Sequence, residues 1–282
     1  MRRRTLISIL GSMAIAPWRA AIAQTATGDK LPEIGFLYPA SAGAAQSRVA
    51  AFLGGLNARG LVEGRNFTLS VRTANYDPGR TAQFAAELVE RKPAVIFAVS
   101  PKAVQEVRTL TSTVPIIAMD LESDPVKSGF VASIARPGGN LTGLFFDFPE
   151  FSGKWLEILT DILPNLRRVG LLWDPATGPV QLDSASAVVT ARGLASEVLK
   201  VDAPSFLDQA IAAAGAAKVE ALIILSSPVF GSAVQQVADL TLRHRVPAIT
   251  LFPEFAELGG LVAYGVELGD LFRQGGEIVA KV

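Results

Sequence analysis

The sequence predicts an α/β protein made of two doubly wound lobes, each with a parallel sheet between two layers of helices. An internal repeat is the first observation: residues 34–43, IGFLYPASAG, return at 169–178 as VGLLWDPATG. Two further pairs of apolar segments keep the same order, 94–100 with 221–227 and 114–120 with 246–252. Short β-branched runs also alternate with longer amphipathic ones, which is typical of βαβ units. The alternative, that any two buried parallel strands look alike because both are rich in Val, Ile and Leu, stays open here.

The first lobe, with the first connection between the lobes, is predicted over residues 31–143. After its first strand, Val49, Phe52 and Leu56 fall on one face of a helix that can pack on a sheet. We predict four strands and three crossover helices, with strands at 34–38, 67–72, 94–100 and 115–120 and helices near 45–58, 80–90 and 103–110. The stretch 124–143 is dense in Gly and Pro and lacks helical periodicity, which predicts the connection.

The second lobe is predicted over residues 144–258. It opens on a helix near 153–163, where Leu156, Leu159 and Leu163 recur at helical spacing. The elements then follow the order of the first lobe: strand 168–173, helix 182–194, strand 197–201, helix 206–216, strand 221–226, helix 232–243 and strand 248–252. Residues 257–264 are interpreted as the second connection, and residues 259–282 as the return connection with a helix towards the N-terminal lobe.

The first residues have the pattern of an export signal. Three arginines at 2–4 precede the apolar run 6–15, and Ala21-Ile22-Ala23 forms a cleavage site, so we predict a signal peptide over 1–23 that is cleaved after Ala23. The apolar run is too short for a membrane span. We therefore expect a periplasmic protein. Residues 3–7, RRTLI, also fit a twin-arginine signal, and both that route and the general secretory route stay open.

Charge and cysteine content exclude several classes of protein. The predicted cleavage removes four arginines and no acidic residue, so 26 basic and 26 acidic residues become 22 and 26 in the mature chain. This mildly acidic balance gives no electrostatic footprint for nucleic acid. The sequence contains no cysteine, which excludes disulfides, thiol catalysis and iron–sulfur ligation.

Ligand binding is expected at the carboxyl ends of the strands, because open parallel sheets form their binding sites there. The candidate ligand-binding residues are those that closely follow the predicted strands: Tyr38, Ser41, Ser100, Asp120, Glu122, Trp173, Ser226, Ser227 and Glu254. Their aromatic rings can stack on a cyclic ligand, their hydroxyls can bind a carboxylate, and their acids can accept from an ammonium group.

These candidates also have structural explanations. The two aromatic residues can close a hydrophobic core while their polar tips meet water. The serines that precede Pro101 and Pro228 are expected to cap helices, which does not prevent them from binding a ligand. The acidic residues after the fourth predicted strand can form a solvated turn. The sequence leaves these alternatives open.

The sequence carries no motif of a known catalytic centre. Its one histidine, His244, lies between two arginines at a predicted helix end, and a single histidine excludes a multi-histidine metal site. The nucleophile elbow, the phosphate-binding loop and the dinucleotide fingerprint are all missing. We therefore expect a protein that is not an enzyme and that has no cofactor and no metal.

Four segments carry a resemblance to a known family: 124–143, DPVKSGFVASIARPGGNLTG; 60–66, GLVEGRN; 243–247, RHRVP; and 254–265, EFAELGGLVAYG. They resemble the ABC-transporter substrate-binding protein family of the tryptophan/tyrosine-binding type, over about residues 31–282. The resemblance implies a type I periplasmic binding protein fold, with two Rossmann-like lobes, a three-stranded hinge and closure on a ligand. Because family members usually continue beyond the position of Val282, it also implies a C-terminally truncated chain that stops inside a helix.

The expected function is that of an exported solute-binding protein of an ABC importer. It captures a small molecule, such as an aromatic or other amino acid, in the interlobe cleft and delivers it to an ABC permease at the inner membrane. We expect a monomer that binds no nucleic acid. Two alternatives remain open: a ligand-sensing module for a membrane receptor, and an exported two-lobed α/β enzyme.

Overall fold

The computed structural model describes residues 30–146 and 148–282. The predicted signal peptide and its cleavage site lie outside these residues. The chain divides into two compact units. Within the described residues, unit 1 comprises 30–120, 124–145 and 269–282, and unit 2 comprises 121–123, 146 and 148–268.

Strands and helices alternate along the described residues. In chain order they are β1 (Glu33–Tyr38), α1 (Ala42–Asn57), β2 (Thr68–Thr73), α2 (Pro78–Glu90), β3 (Val95–Val99), α3 (Pro101–Leu110), β4 (Ile116–Asp120), β5 (Leu141–Phe145), α4 (Phe148–Ile162), β6 (Arg168–Trp173), α5 (Val180–Ala191), β7 (Ala195–Lys200), α6 (Leu207–Ala216), β8 (Ala221–Ile224), α7 (Pro228–Ser232), α8 (Val234–Arg243), β9 (Ala248–Thr250), α9 (Glu254–Glu257), β10 (Val262–Ala263) and α10 (Leu268–Val279). Short 3₁₀ turns lie at Pro175–Thr177 and Pro204–Phe206.

Each unit contains one five-stranded sheet in which all strand pairs are parallel. The strand order is β2-β1-β3-β4-β5 in unit 1 and β7-β6-β8-β9-β10 in unit 2. In both, the second and third strands of the unit's chain lie on opposite sides of the first, which is the doubly wound topology. The predicted α/β fold class with two doubly wound parallel sheets is therefore confirmed.

The internal repeat corresponds to equivalent strands, β1 and β6, each of which lies second from the edge of its sheet. Gly35 of β1 pairs with Ile96 of β3, and Gly170 of β6 pairs with Leu222 of β8. A Cβ at Gly35 would lie 3.2 Å from the Ile96 side chain, and one at Gly170 would lie 2.6 Å from Leu222. Both strands therefore have glycine at the equivalent position, because a side chain of the neighbouring strand occupies the space that a Cβ would need.

The unit 1 sheet has an aromatic face and an aliphatic face. Phe36, Phe52 and Phe97 pack against one another with ring centroids 4.8–5.3 Å apart. The neighbouring strand residues Leu37 and Ile96 belong instead to a mainly aliphatic cluster that includes residues of α2 and α3. Alternate residues of a strand point to opposite faces, so β1 and β3 supply both layers.

Helix α10 joins the aromatic face of unit 1. Its Phe272 ring lies 6.1 Å from Phe36, and a Cβ at Gly276 would lie 2.1 Å from the carbonyl oxygen of Phe52. On α1, a Cβ at Gly55 would lie 1.9 Å from the carbonyl oxygen of Arg273. The two helices therefore approach backbone to backbone, which only glycine permits at these positions.

Two strands lie where connections are predicted. β5 falls at the end of the stretch 124–143, and β10 falls within 257–264. In β5, Gly143 sits so close to β4 that a Cβ would lie 2.0 Å from the carbonyl oxygen of Ala118, so a residue typical of turns is needed in this sheet. The prediction of four strands in the first lobe is therefore wrong by one.

Within residues 30–146 and 148–282, no helix combines the length and the apolar character that a membrane span requires.

Candidate functional site

The carboxyl ends of the unit 2 strands carry a buried polar network around Asp174. This residue follows β6 and is 3% exposed. Its Oδ2 accepts a hydrogen bond from Ser227 Oγ (2.6 Å), and its Oδ1 accepts one from the Ala176 amide (2.9 Å). Burial raises the pKa of the Asp174 carboxyl, although both hydrogen bonds act in the opposite direction. The first strand and the third strand of the unit therefore meet through a carboxylate and a hydroxyl.

Gln181, in the first turn of α5, is the residue that the sequence analysis missed. It is completely buried, and its Oε1 accepts from the Ser226 amide (2.8 Å) while its Nε2 donates to the Ser226 carbonyl (2.6 Å). Nε2 also donates to Thr177 Oγ1 (2.9 Å). A polar residue in the first turn of the helix after a switch-point strand is the sequence signal that could have identified it.

Glu122 completes this network from a segment of three residues, 121–123, that belongs to unit 2. Its Oε1 accepts from Ser226 Oγ (2.8 Å), and its Oε2 accepts from the Leu121 amide (3.2 Å). Glu122 is 4% exposed and Asp120, at the end of β4 in unit 1, is 0% exposed. The alternative of a solvated acidic turn is therefore wrong for both residues.

The serines at the strand ends have different partners. Ser100 Oγ accepts from the Ala103 amide (3.4 Å) at the start of α3, and Ser227 Oγ accepts from the Val229 amide (2.9 Å) at the start of α7. Ser41 Oγ accepts from the Ala44 amide (3.3 Å) and caps α1. Ser226 does not cap a helix, because Ser227 is the N-cap of α7; the Ser226 hydroxyl donates to Glu122 instead. Ser100 has φ +86° and ψ 157°, a conformation that residues with a Cβ rarely adopt.

The two predicted aromatic residues lie in different environments. Tyr38 is 3% exposed, and its ring packs at 6.0 Å from Phe272 and 6.4 Å from Phe36, within the aromatic face of unit 1. Trp173 is half-buried, and its Nε1 donates to the Gly178 carbonyl (3.1 Å). Trp173 therefore presents some of its surface to solvent in unit 2, whereas Tyr38 is part of the core of unit 1.

The remaining candidate, Glu254, is the first residue of the short helix α9 and is half-buried. An open groove of about 550 Å³ lies beside β7 and α6 in unit 2 and includes Val198 and Phe206 in its lining. None of the nine predicted ligand-binding residues lines this groove. In the described part of the chain, no group of three His, Cys, Asp or Glu side chains is arranged to hold a metal ion.

Comparison with known proteins gives one family profile, described as ABC transporter substrate binding protein, which matches residues 33–282. A curated protein of Clostridioides difficile, the Tyrosine-binding protein, is 24% identical over 233 residues. The alignment covers 82% of this chain and 66% of that protein, so the chain spans slightly less than two thirds of its relative.

Solved structures similar to this chain include proteins of Vibrio cholerae and Streptococcus pneumoniae. A conserved domain protein from Vibrio cholerae has a TM-score of 0.80 at 22% identity, and an ABC domain in complex with L-Trp from Streptococcus pneumoniae has a TM-score of 0.77 at 20% identity. Each comparison covers 89% of this chain and 84% of the other. At these identities the likeness establishes the fold.

Proposed function

The chain belongs to the ABC transporter substrate-binding protein family, and from this premise we propose that it is an exported receptor for an aromatic amino acid. It releases its ligand to the permease of an ABC importer at the inner membrane. The observation that carries the choice of ligand is the pair of relatives, a Tyrosine-binding protein and a domain complexed with L-Trp. We further propose that capture is accompanied by closure of the two lobes about the segments that connect them.

The chemistry of the strand ends supports an amino acid as the ligand. Asp120 and Glu122 are buried carboxylates, which suit an ammonium group. Ser41 and Ser100 lie at the starts of α1 and α3, where hydroxyls and backbone amides suit a carboxylate. Trp173 adds an aromatic surface that solvent reaches in part. We propose that the ammonium group of the ligand meets the carboxylates and that its carboxylate meets the hydroxyl and amide donors.

Thermal unfolding with a ligand panel tests the proposal. The protein is purified from the periplasmic fraction and heated with L-tryptophan, L-tyrosine, L-leucine, glucose or adenine. At a hundredfold excess over Kd, binding to the folded state adds about 2.7 kcal/mol, which raises Tm by about 5 °C. We expect this shift with the aromatic amino acids. Cooperative unfolding at one temperature with every compound contradicts the proposed ligand class.

Analogues of the ligand test the roles of its two charges. Indole-3-propionate lacks the ammonium group and tryptamine lacks the carboxylate, so we expect neither to shift Tm as L-tryptophan does.

Glu122→Gln keeps the size of the side chain and an acceptor for Ser226, and we expect it to weaken binding of L-tryptophan about tenfold. Glu157→Gln removes a surface ion pair with Lys154 and is the matched control, with unchanged affinity expected.

Export and delivery need measurements of their own. N-terminal sequencing of the periplasmic protein is expected to start at Gln24, and a strain without the twin-arginine translocase distinguishes the two export routes.

Uptake of radiolabelled L-tryptophan is expected to fall when the gene is deleted and to return when it is restored. Light scattering tests the expected monomer. Normal uptake in the deletion strain contradicts the role in import.

A further inference from the structure

The loop after β2 contains a tight turn with an unusual residue at its centre. Asn75 and Tyr76 have φ of +53° and +63°, and the Asp77 amide donates to the Ala74 carbonyl (3.1 Å). Positive φ at both central positions defines a type I′ turn, which strongly favours Asn followed by Gly. Here tyrosine occupies the position where glycine is favoured. A bulky residue with positive φ is strained, so this turn is less stable with Tyr76 than with glycine.

Backbone hydrogen bonds attach this turn to the loop that follows β1. The Ala74 amide donates to the Tyr38 carbonyl (2.9 Å), the Asn75 amide to the Ala40 carbonyl (3.0 Å) and the Tyr76 amide to the Pro39 carbonyl (2.7 Å). Tyr76 is therefore held at the carboxyl edge of the unit 1 sheet, beside the segment that leads into α1. This edge is where an open parallel sheet binds its ligands.

The accessibility of the two tyrosines of unit 1 separates their roles. Tyr38 ends β1 but is 3% exposed and packs against Phe272, so its ring is part of the core. Tyr76 is half-buried, so part of its surface reaches solvent. Residues that keep a strained conformation tend to occur at functional sites, because binding selects them against local stability.

We propose that Tyr76 is a specificity-determining residue of the unit 1 site and that its ring contacts the aromatic side chain of the bound amino acid. The inference rests on the proposed function, since the aromatic ligand is assigned there. It transfers to Tyr76 the stacking role that the sequence analysis gives to Tyr38. The contact is of the offset or edge-to-face kind that pairs of aromatic rings prefer.

Two substitutions at one position test the proposal through affinity and stability together. Tyr76→Gly removes the ring and relieves the turn, so we expect Kd for L-tryptophan to rise about tenfold, while Tm stays the same or rises by about 2 °C. Tyr76→Phe keeps the ring and is expected to bind within about threefold of the wild type. Calorimetric titration and thermal unfolding provide the two readouts.

The matched control is Lys92→Gly. Lys92 also has positive φ, at +51°, but it precedes β3 and so lies at the opposite edge of the same sheet. Relief of strain at Lys92 is expected to leave Kd unchanged and to leave Tm equal or higher. A Tyr76→Gly variant that keeps wild-type affinity overturns the proposal, because the ring then makes no contact with the ligand. A variant with a lower Tm overturns it as well, because the ring then has a structural role.

Failure of the proposed function gives a different result. In that case the wild-type protein binds neither L-tryptophan nor L-tyrosine, and the proposed contact of Tyr76 is overturned together with the proposed function. Failure of the inference alone is distinguishable, because the wild-type protein then binds L-tryptophan and Tyr76→Gly binds it equally well.

Discussion

Gln181 hydrogen-bonds both backbone groups of Ser226: its Oε1 accepts from the Ser226 amide at 2.8 Å and its Nε2 donates to the Ser226 carbonyl at 2.6 Å. A neighbouring β-strand would offer the same donor and acceptor, so the side chain continues the sheet beyond the end of β8. Ser226 is thereby fixed with its hydroxyl directed to Glu122. One side chain of α5 therefore positions the strand end that carries the polar network of unit 2.

Replacement of Gln181 tests this arrangement. Gln181→Leu leaves the amide and the carbonyl of Ser226 buried without their partner, and we expect the free energy of unfolding to fall by about 2–3 kcal/mol. Urea denaturation measures the change. Gln83→Leu is the matched control, since Gln83 is exposed on α2 and its Nε2 donates to Glu87 of the same helix (2.9 Å); its effect should stay within about 0.5 kcal/mol. Equal effects of both substitutions would contradict the role of Gln181.

Adjacent glycines of α1 test the close approach of α10. Gly54→Ala adds a methyl group that meets no atom within 4 Å beyond its chain neighbours and the backbone of its own helix, and we expect about 0.5–1 kcal/mol of stabilisation from helix propensity. Gly55→Ala places its Cβ 1.9 Å from the Arg273 carbonyl oxygen, and we expect a loss of about 3 kcal/mol or more. Chemical denaturation of both variants provides the measurement. A neutral Gly55→Ala substitution would show that α10 is not packed against α1 in this way.

Asp174 gives a prediction for pH dependence. Burial raises the pKa of this carboxyl above its ordinary value of 3.8, so the folded protein holds the proton more tightly than the unfolded chain does. The stability from this group is fully present below about pH 3.8 and is lost as the pH rises through the folded pKa. As the pH rises from 4 to 7, we expect the free energy of unfolding of Asp174→Asn to increase relative to that of the wild type. Parallel stability profiles of the two proteins would argue against the raised pKa.

Glu33 gives a pH dependence of stability that is opposite in sign to that of Asp174. Its carboxylate, at the start of β1, is 6% exposed and accepts from Arg91 Nε (2.5 Å) and Nη2 (2.9 Å). These hydrogen bonds lower the pKa of Glu33 below its ordinary value of 4.5. The stability from this pair is therefore present above about pH 4.5 and is lost as the pH falls through the lowered pKa.

The test of this pair is Glu33→Gln. We expect a loss of about 2 kcal/mol at neutral pH that shrinks on acidification. Glu157→Gln, at an exposed ion pair with Lys154, serves as the comparison and is expected to change stability by less than about 0.5 kcal/mol. A loss for Glu33→Gln that stays constant from pH 7 to pH 3 would assign the effect to packing instead of charge.

The strands that the sequence predicts well are those with a continuous apolar run between clear breaks. β6 has the predicted bounds, Arg168–Trp173, because its run is closed by Asp174-Pro175. β5 and β10 are not predicted from the sequence, and the reasons are physical. β5 contains Gly143, which reads as a turn residue until its close approach to β4 is known, and β10 has only two residues.

The sequence predicts where the candidate site lies better than it predicts which side chains contact one another there. Strand ends identify Ser226, Ser227 and Glu122, which the structure brings into one network with Asp174 and Gln181. The burial of Tyr38 depends on Phe272, which is more than 230 residues away along the chain. No local pattern around Tyr38 indicates a partner at that distance, so the sequence could not decide between a ring that stacks on a ligand and a ring that closes the core.

Unit 1 receives α10 only after the residues of unit 2 have been synthesised. The aromatic face of β1 and β3 lacks the ring of Phe272 until residues 269–282 arrive. Translation of the intervening segment takes on the order of ten seconds. During that time the nascent N-terminal lobe exposes apolar surface that invites aggregation or a chaperone, whereas the second lobe is nearly continuous in the chain and can fold as soon as it emerges.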